Sequence, residues 1–400
     1  MRMLGFRRRR ARVSARTAVA VPPAARPAAT KASAAGRVAA RALPTGLARG
    51  GMRDGGSLVR SGFLDNPIGF RAVRLIAEAA AGVPLAVAGP EGRYATHPVA
   101  DLLMQPNGAQ GGAAFLEALY GQIVLTGDGY VEGVGDGAVP VELHVLRSDR
   151  MSVVPGADGW PVAYDYTVGG AKHRFAVGDV SPVCHVRTFH PTDDHNGLSP
   201  LRAAAAAVEV HNAASAWSKG LLENAARPSG AIVNEGEILT PEQFERLSDE
   251  LEANHQGARN AGRPMLLDGG LTWRAMGLSP SDMEFGAVKA SAAREVATAF
   301  GVPPMLLGIP GDATYANYAE ANRAFYRLTV LPLVNRVAEA MAAWLNRRSS
   351  ERPSLSLSAD RDRIPALQDE RDLQWRRISE AAFLTGAEKR RLLGLPPAEE

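Results

Sequence analysis

The sequence of 400 residues is short of cysteine, lysine and long apolar runs. Cys184 is its single cysteine, which excludes an internal disulfide framework and any cysteine-based zinc finger and fits a reducing compartment. Lysine occurs five times, so forty of the 45 basic residues are arginine. With the excess of alanine, that bias reads as a GC-rich coding sequence and not as a recognition strategy. No uninterrupted apolar stretch reaches the ~18 residues of a membrane-spanning helix. RRRR near the start lacks the apolar core and small-residue cleavage site of an export signal. No G-x-x-x-x-G-K-[ST] occurs, so the chain has no phosphate-binding loop with which to run a nucleotide-driven motor. GDGYVEGVGDG holds a Gly-x-Gly without the third glycine and following helix of a dinucleotide site, and reads as a hairpin turn.

What is present is a chain with 46% hydrophobic residues, enough for a substantial core, and long enough for more than one subregion. The net charge of +3 hides an asymmetry. Residues 1–60 hold fourteen Arg or Lys against Asp54, or +13, so the remaining 340 residues carry −10. Proteins that grip DNA neutralise phosphates. An acidic body disfavours tight DNA binding by the folded part. The first 60 residues are Ala, Arg, Pro, Gly and Ser with almost no aromatics, too little apolar surface to offset ordering entropy. They are expected to form a disordered basic arm, either solvated or in nonspecific contact with DNA or an acidic partner.

From Asn66 the pattern predicts a helix with Phe70, Val73, Ile76 and Ala77 on one face, ending near Gly82 before a VPLAV strand. Short helices follow at His97–Asn107 and Ala113–Leu125. Over residues 126–187 the runs YVEGV, VELHVL, MSVVP, PVAYDYTV and HRFAV, separated by Gly, Asp and Pro, predict a small antiparallel sheet. VCHVRTFHPTDDHNGLSP is the densest polar cluster. Cys184, His185, His190, Asp193, Asp194 and His195 could serve as metal ligands or as a Cys/His nucleophile pair. Neighbours on a strand point to opposite faces, so Cys184 and His185 cannot share one ion, and a turn launching the next helix is the plainer reading.

Ser199-Pro200 opens a helix expected to reach about Ala225, with Ala203–Ala207 small enough for close approach of a neighbour and Val210, Ala214, Trp217 and Leu221 on one face. Residues 228–280 read strand, helix, strand, strand, the helix opened by a capping box at Thr240 and Gln243 and striped by Phe244, Leu247 and Leu251. A second capping box, Ser281 with Glu284, opens a helix striped by Phe285, Val288, Ala292, Val296 and Phe300. Gly301 and Pro303-Pro304 stop it. After GIPGDATYANY, which has neither period, a long helix from Ala319 to Asn346 bears Phe325, Leu328, Leu331, Val334, Val337, Met341 and Trp344. Pro332 in its interior predicts a kink. Beyond Arg348 come one short strand, a charged helix near Leu367–Ala381 and a last helical turn capped by Thr385 and Glu388.

FGVPPMLLG with its polar loop, AEANRAFYRLTVLPLVNRVAEAMAAWL, HPTDDHNGLSP and ENAARPSGAIV together resemble the portal proteins of long-tailed bacteriophages and of the related gene transfer agents. The resemblance covers residues 63–347 well and the C-terminal part loosely. It implies an α+β portal fold: wing 61–198, stem helix 199–227, clip 228–280, second stem helix 281–303, tunnel loop 304–318, kinked wing helix 319–348 and crown 349–400. It also implies a ring of twelve subunits at a capsid vertex of a virion assembled in the bacterial cytoplasm. The ring conducts double-stranded DNA without reading sequence and contacts the major capsid protein, a head–tail adaptor and the large terminase subunit, with no membrane and no cofactor. The tunnel-loop residues facing DNA would be Gly311, Asp312, Ala313, Thr314, Tyr315, Asn317 and Tyr318, and the clip contacts Glu252, Arg259 and Arg263. Two other readings compete: a metal-dependent hydrolase using His185, His190, Asp193 and His195, and a DNA-binding tether acting through the basic arm.

Overall fold

The computed structural model describes residues 55–178, 180–223, 230–234, 240–255, 271–275, 285–311, 315–349 and 355–393. The first 54 residues, the predicted Ser281–Glu284 box, the second of the three strands expected in the clip, Arg259 and Arg263 lie outside them. The predicted arm ends sooner than expected: Gly55–Val59 is helical (α1), and Leu58 is buried in the core. A π-helical turn, Arg60–Leu64, leads on to α2, Pro67–Ala81.

Asn66 starts α2. Its Oδ1 accepts from the amides of Ile68 (3.0 Å) and Gly69 (2.9 Å), and Pro67 takes the first helical position, where its missing N–H costs nothing. The buried stripe is Gly69, Ala72, Val73, Ile76, Ala77 and Ala80. Phe70, expected on that face, is instead exposed, tilted against Phe63 at 5.2 Å with Arg74 over its ring. The reason is close approach: a Cβ at Gly69 would meet the Gly62 carbonyl at 1.9 Å, so the helix face turned inward is the one with the smallest side chains.

Strand β1 (Leu85–Gly89), β2 (Gly92–Arg93), α3 (Pro98–Met104) and α4 (Gly112–Thr126) follow. In place of one sheet the next stretch forms two antiparallel three-stranded sheets. Strands β3 (Asp128–Val134), β4 (Glu142–Leu146) and β8 (Val183–Arg187) order as β4-β3-β8, and β5 (Met151–Pro155), β6 (Pro161–Val168) and β7 (Ala171–Ala176) as β5-β6-β7. Beneath the first sheet α4 buries Phe115, Leu119, Tyr120 and Ile123.

Ser199 caps α5 (Pro200–Ala203), and after a one-residue break at Ala204 comes α6 (Ala205–Glu223). Between α6 and the next stem helix lie β9 (Gly230–Asn234), α7 (Pro241–His255) and β10 (Leu271–Ala275), the strands paired antiparallel. The Thr240 box is present: its amide donates to Gln243 Oε1 at 2.9 Å and its Oγ1 accepts from Gln243 N–H at 3.4 Å. The second stem helix, α8 (Phe285–Ala299), packs along α6, and Trp217 stacks on Phe285 at 3.9 Å. Ala204, Ala207, Val208, His211 and Ala214 face inward from the first helix, and Ala292, Ala293, Val296 and Ala297 from the second. Val210 and Val288, expected on those stripes, lie outside at 44% and 42% exposure.

The kinked helix comprises α9 (Tyr315–Phe325), a π turn at Tyr326–Val330 and α10 (Leu331–Arg348). It begins four residues before the expected Ala319. By length and composition the run Asn317–Arg348 would suffice to cross a membrane, but half of its apolar window is buried within this fold. The chain closes with β11 (Ser356–Ala359), which pairs with β1 through Leu85 and Ala359, then α11 (Gln368–Glu380) and α12 (Gly386–Leu392), the last with the expected Thr385–Glu388 box.

One polar knot ties wing to stem. Asn66 Nδ2 donates to Asn212 Oδ1 (2.8 Å) and meets His211 Nδ1 at 3.3 Å, while Asn212 Nδ2 donates to the Ser61 carbonyl (2.8 Å). Asn66→Ala is expected to remove about 1–2 kcal/mol, read as a lower thermal midpoint. Asn212→Ala should cost less, because the α2 cap survives it. Burial, with Lys289 adding repulsion, holds His211 below the ordinary histidine pKa. The unfolded chain then binds more protons in mild acid, so stability is lost as pH falls through the ordinary histidine range. A thermal midpoint that drops between about pH 7 and about pH 5.5, with a flatter profile in His211→Gln, is the expected outcome.

Candidate functional site: the loop between stem and kinked helix

The loop is anchored at both of its ends. At its near end Gly301 (φ 65°) follows the helix, with Gly301 N–H donating to the Thr298 carbonyl (3.0 Å) and Val302 N–H to that of Ala297 (2.9 Å). This double closure satisfies the orphan carbonyls of a helix end and needs a residue tolerant of positive φ. Pro304–Leu307 makes one 3-10 turn. Ile309 then buries itself against Ala293 and Ala297, and Arg294 Nη2 donates to the Pro310 carbonyl at 2.6 Å. Gly311 is exposed where the described chain pauses.

At its far end the geometry is set by Pro332. Proline lacks an N–H and its ring clashes with the carbonyl four residues back. The helix responds by widening: Leu331 N–H donates to the Tyr326 carbonyl, five residues back, in a π turn. The wider turn shifts the apolar phase. Leu328, expected on the buried stripe, is 73% exposed, whereas Phe325, Val330, Leu331, Val334, Val337, Met341 and Trp344 remain inside. Thr329, within the π turn, donates from Oγ1 to the Gly301 carbonyl at 2.6 Å. So the stem-helix terminus and the start of the kinked helix are bonded directly, and the segment between them is a closed loop on a rigid base.

Of the expected DNA-facing residues, Asp312, Ala313 and Thr314 lie outside the described residues. Tyr315 opens α9, so it and the two positions after Ala316 are helical and not part of an irregular loop. Asn317 and Tyr318 are exposed. Farther along, Arg323 pairs with Glu320 (2.7 Å) and Asp369 (3.2 Å), and Arg327 with Glu370 (3.5 Å), which links this helix to the first turn of α11. Glu252 sits near the end of α7. The anchors Arg294, Ile309 and Thr329 escaped sequence reasoning. Only the break of period at GIP hinted at Ile309.

The polar cluster of residues 184–195 does not converge. Cys184 faces the core, its thiol against the Ala340 carbonyl at 3.8 Å, and burial pushes its pKa up to about 12, the opposite of a nucleophile's environment. His185 faces the other way. It stacks on Tyr130 at 4.3 Å, and its Nε2 donates to Asp128 Oδ1 at 2.8 Å. That carboxylate oxygen also accepts from Gly197 N–H at 2.9 Å. Asp193 closes a turn, accepting from the amides of His195 (2.8 Å) and Asn196 (3.1 Å), and His190 Nδ1 accepts from Thr192 N–H at 3.2 Å. Gly127 (φ 88°) and Gly197 press backbone to backbone, since a Cβ on Gly197 would meet the Gly127 oxygen at 1.9 Å. Ser199 Oγ accepts from Leu201 N–H at 3.0 Å to start α5. From Asp128 to Ser199 these hydrogen bonds position the turn that leads into α5. No group of three or more His, Cys, Asp or Glu that could hold a metal occurs among the described residues.

The architecture of paired stem helices, a small clip and a proline-kinked helix defines a class, and comparison with known proteins agrees. Residues 67–394 match the family described as phage portal protein, and the chain belongs to that family. It is 28% identical to the portal protein of Enterobacteria phage HK97 over 255 residues, 62% of this chain and 58% of that protein. Among solved structures it is similar to a chain in the neck of an empty GTA (gene transfer agent) particle computed with sixfold symmetry (63% identity, TM-score 0.68), covering 88% of this chain and 98% of that one. It is equally similar to a chain in the neck of a native GTA particle computed with twelvefold symmetry (62% identity, TM-score 0.66), covering 92% of this chain and 100% of that one.

Thr329→Val is expected to cost about 1 kcal/mol by removing one hydrogen bond, and to speed amide exchange in the first turns of α9. Thr329→Ser should keep both at their original values. Elemental analysis of the purified protein should find no stoichiometric zinc or manganese. Asp193→Ala should lower the thermal midpoint and abolish no hydrolytic turnover.

Proposed function

We propose that this portal protein assembles as a ring of twelve copies in the neck at one capsid vertex of a phage-like particle, and that duplex DNA passes through the ring during packaging and ejection. The single observation that carries this is the loop on its rigid base. Arg294, Ile309 and the Thr329–Gly301 bond fix where the segment starts and ends, while Gly311 to Tyr318, whose second half opens α9, is mostly small or polar. Such a loop can touch a phosphate backbone without reading bases, which a conduit for any sequence requires. The twelvefold symmetry of the similar neck structure supports the subunit number. A heterologous contact repeated around a closed rotation makes such a ring.

Asp312, Thr314, Tyr315 and Asn317 would meet the DNA. The clip, with Glu252, Arg259 and Arg263, would face the terminase and later the head–tail adaptor, and the outer wing the major capsid protein. The chain acts as a structural conduit and not as an enzyme: the packaging force comes from a separate motor. The hydrolase reading loses its chemistry to the turn geometry of Asp193 and to Cys184 and His185 facing opposite sides of their strand. The tether reading rests on the basic N-terminal arm alone; because Leu58 is part of the core, the arm that can be removed is residues 1–54, and its removal should leave ring assembly intact.

Shortening residues 311–318 by replacing them with a rigid three-residue link is expected to leave rings visible in negative-stain images while the DNA recovered from particles falls severalfold. Normal DNA content in such particles would count against the loop as the DNA contact.

A further inference from the structure

The body of this chain is acidic, yet one described surface is not. Between Trp375 and Arg391 the sequence carries Arg376, Arg377, Lys389, Arg390 and Arg391 against Glu380 and Glu388. The fold gathers these cations. Lys389 Nζ donates to the Ser379 carbonyl at 2.8 Å, and Arg371 Nη2 donates to the Leu393 carbonyl at 3.2 Å. Position 389 therefore lies beside 379 and position 393 beside 371, so α12 runs antiparallel along α11 and Arg391 falls alongside Trp375 and Arg376.

Three of the acids nearby are already engaged, and Asp372 and Glu380 remain on the same helix. Asp369 and Glu370 are paired with Arg323 and Arg327 on the kinked helix, and Glu388 is held in the Thr385 capping box. No carboxylate lies within salt-bridge distance of Arg376, Arg377 or Arg391 among the described residues. Compensation of two helix dipoles accounts for one or two cations at the helix ends, not for five within one hairpin. Trp375, with the Arg371 guanidinium 5.1 Å from its ring, and Phe383 at 86% exposure interrupt the charge with open aromatic surface.

We propose that the α11–α12 hairpin is a second contact surface for the phosphate backbone of duplex DNA, separate from loop 311–318. Unpaired guanidinium groups recognise phosphate in a planar, two-pronged fashion. Placed on an otherwise repulsive body, they confine attraction to one place, so DNA is held locally without adhering along the whole protein. The inference rests on the conduit reading for the presence of DNA, but its test does not depend on the loop.

The test uses the full-length protein, so the basic arm contributes equally to each sample. Binding of a short random-sequence duplex is measured across a salt series for wild type and for Arg376→Gln/Arg377→Gln/Arg391→Gln. Each phosphate contact contributes about 0.9 to the slope of log K against log salt, so the triple variant should lose about 2 to 3 from that slope. A second duplex of unrelated sequence should give the same change. An unchanged slope with intact rings in negative-stain images would overturn the proposal. An unchanged slope with broken or absent rings would overturn it too, assigning the patch to contact between subunits. Rings that fail to form in the wild type would instead strike the conduit reading and leave the salt result to be judged on its own.

Discussion

Everything in the middle of this molecule depends on one missing amide. Pro332 sits at the start of a helix whose inner face, from Val330 to Leu345, is almost wholly buried, so the helix cannot drift outward to relieve the proline. The strain is absorbed one turn earlier by the π turn at Tyr326–Val330. That turn points Thr329 at the Gly301 carbonyl, which belongs to the end of the stem helix. Backbone chemistry at one residue thus decides where two helices touch and how wide the intervening loop can open. A regular helix through this region would turn Thr329 to a different bearing and leave the Gly301 carbonyl to water.

The charge distribution makes the same point on a larger scale. A conduit must pass DNA without trapping it, and the binding free energy of DNA on protein is mostly counterion release from neutralised phosphates. Spreading −10 over residues 61–400 suppresses that term over the body. Surface ion pairs such as Arg323–Glu320 and Arg147–Asp149 are worth little to stability. They do, however, cancel arginines that would otherwise be available to phosphate. In a chain with forty arginines this cancellation matters more than the pairs' own energy.

Much of the fold could be read from the sequence because its signals are local. Asn66-Pro67, Ser199-Pro200, Thr240–Gln243 and Thr385–Glu388 each open a helix at the predicted place, and the β-branched runs of residues 128–187 became strands. The failures share one cause, the mapping of helix phase onto burial. Phe70, Val210, Val288 and Leu328 each lie near the edge of an apolar stripe, and a rotation of one residue puts them outside. What turned the helices was nonlocal: the Gly62–Gly69 approach for Phe70 and the π turn for Leu328. Pairing of β1 with β11 was illegible for the same reason, since nothing in LAVAG names Leu357 as the partner of Val87, 270 positions away. The site was half legible. Its composition and its proline stood out, but Arg294, Ile309 and Thr329 are ordinary residues until the fold brings them to the loop's ends.

Val210 and Val288 show what the misplaced residues mean. They occupy the outer faces of two helices whose inner faces already meet through alanines and the Trp217–Phe285 stack. An isolated protein gains nothing from an apolar residue there, and scattered single exposures need no explanation. Two valines on neighbouring stem helices, in a chain whose family relatives are seen in necks of sixfold and twelvefold symmetry, are a different matter. A heterologous ring contact must offer each subunit two unlike faces. The alanine-lined inner surface of this helix pair is used within the subunit. Copies that meet through this helix pair would meet on its outer surface, where Val210 and Val288 lie.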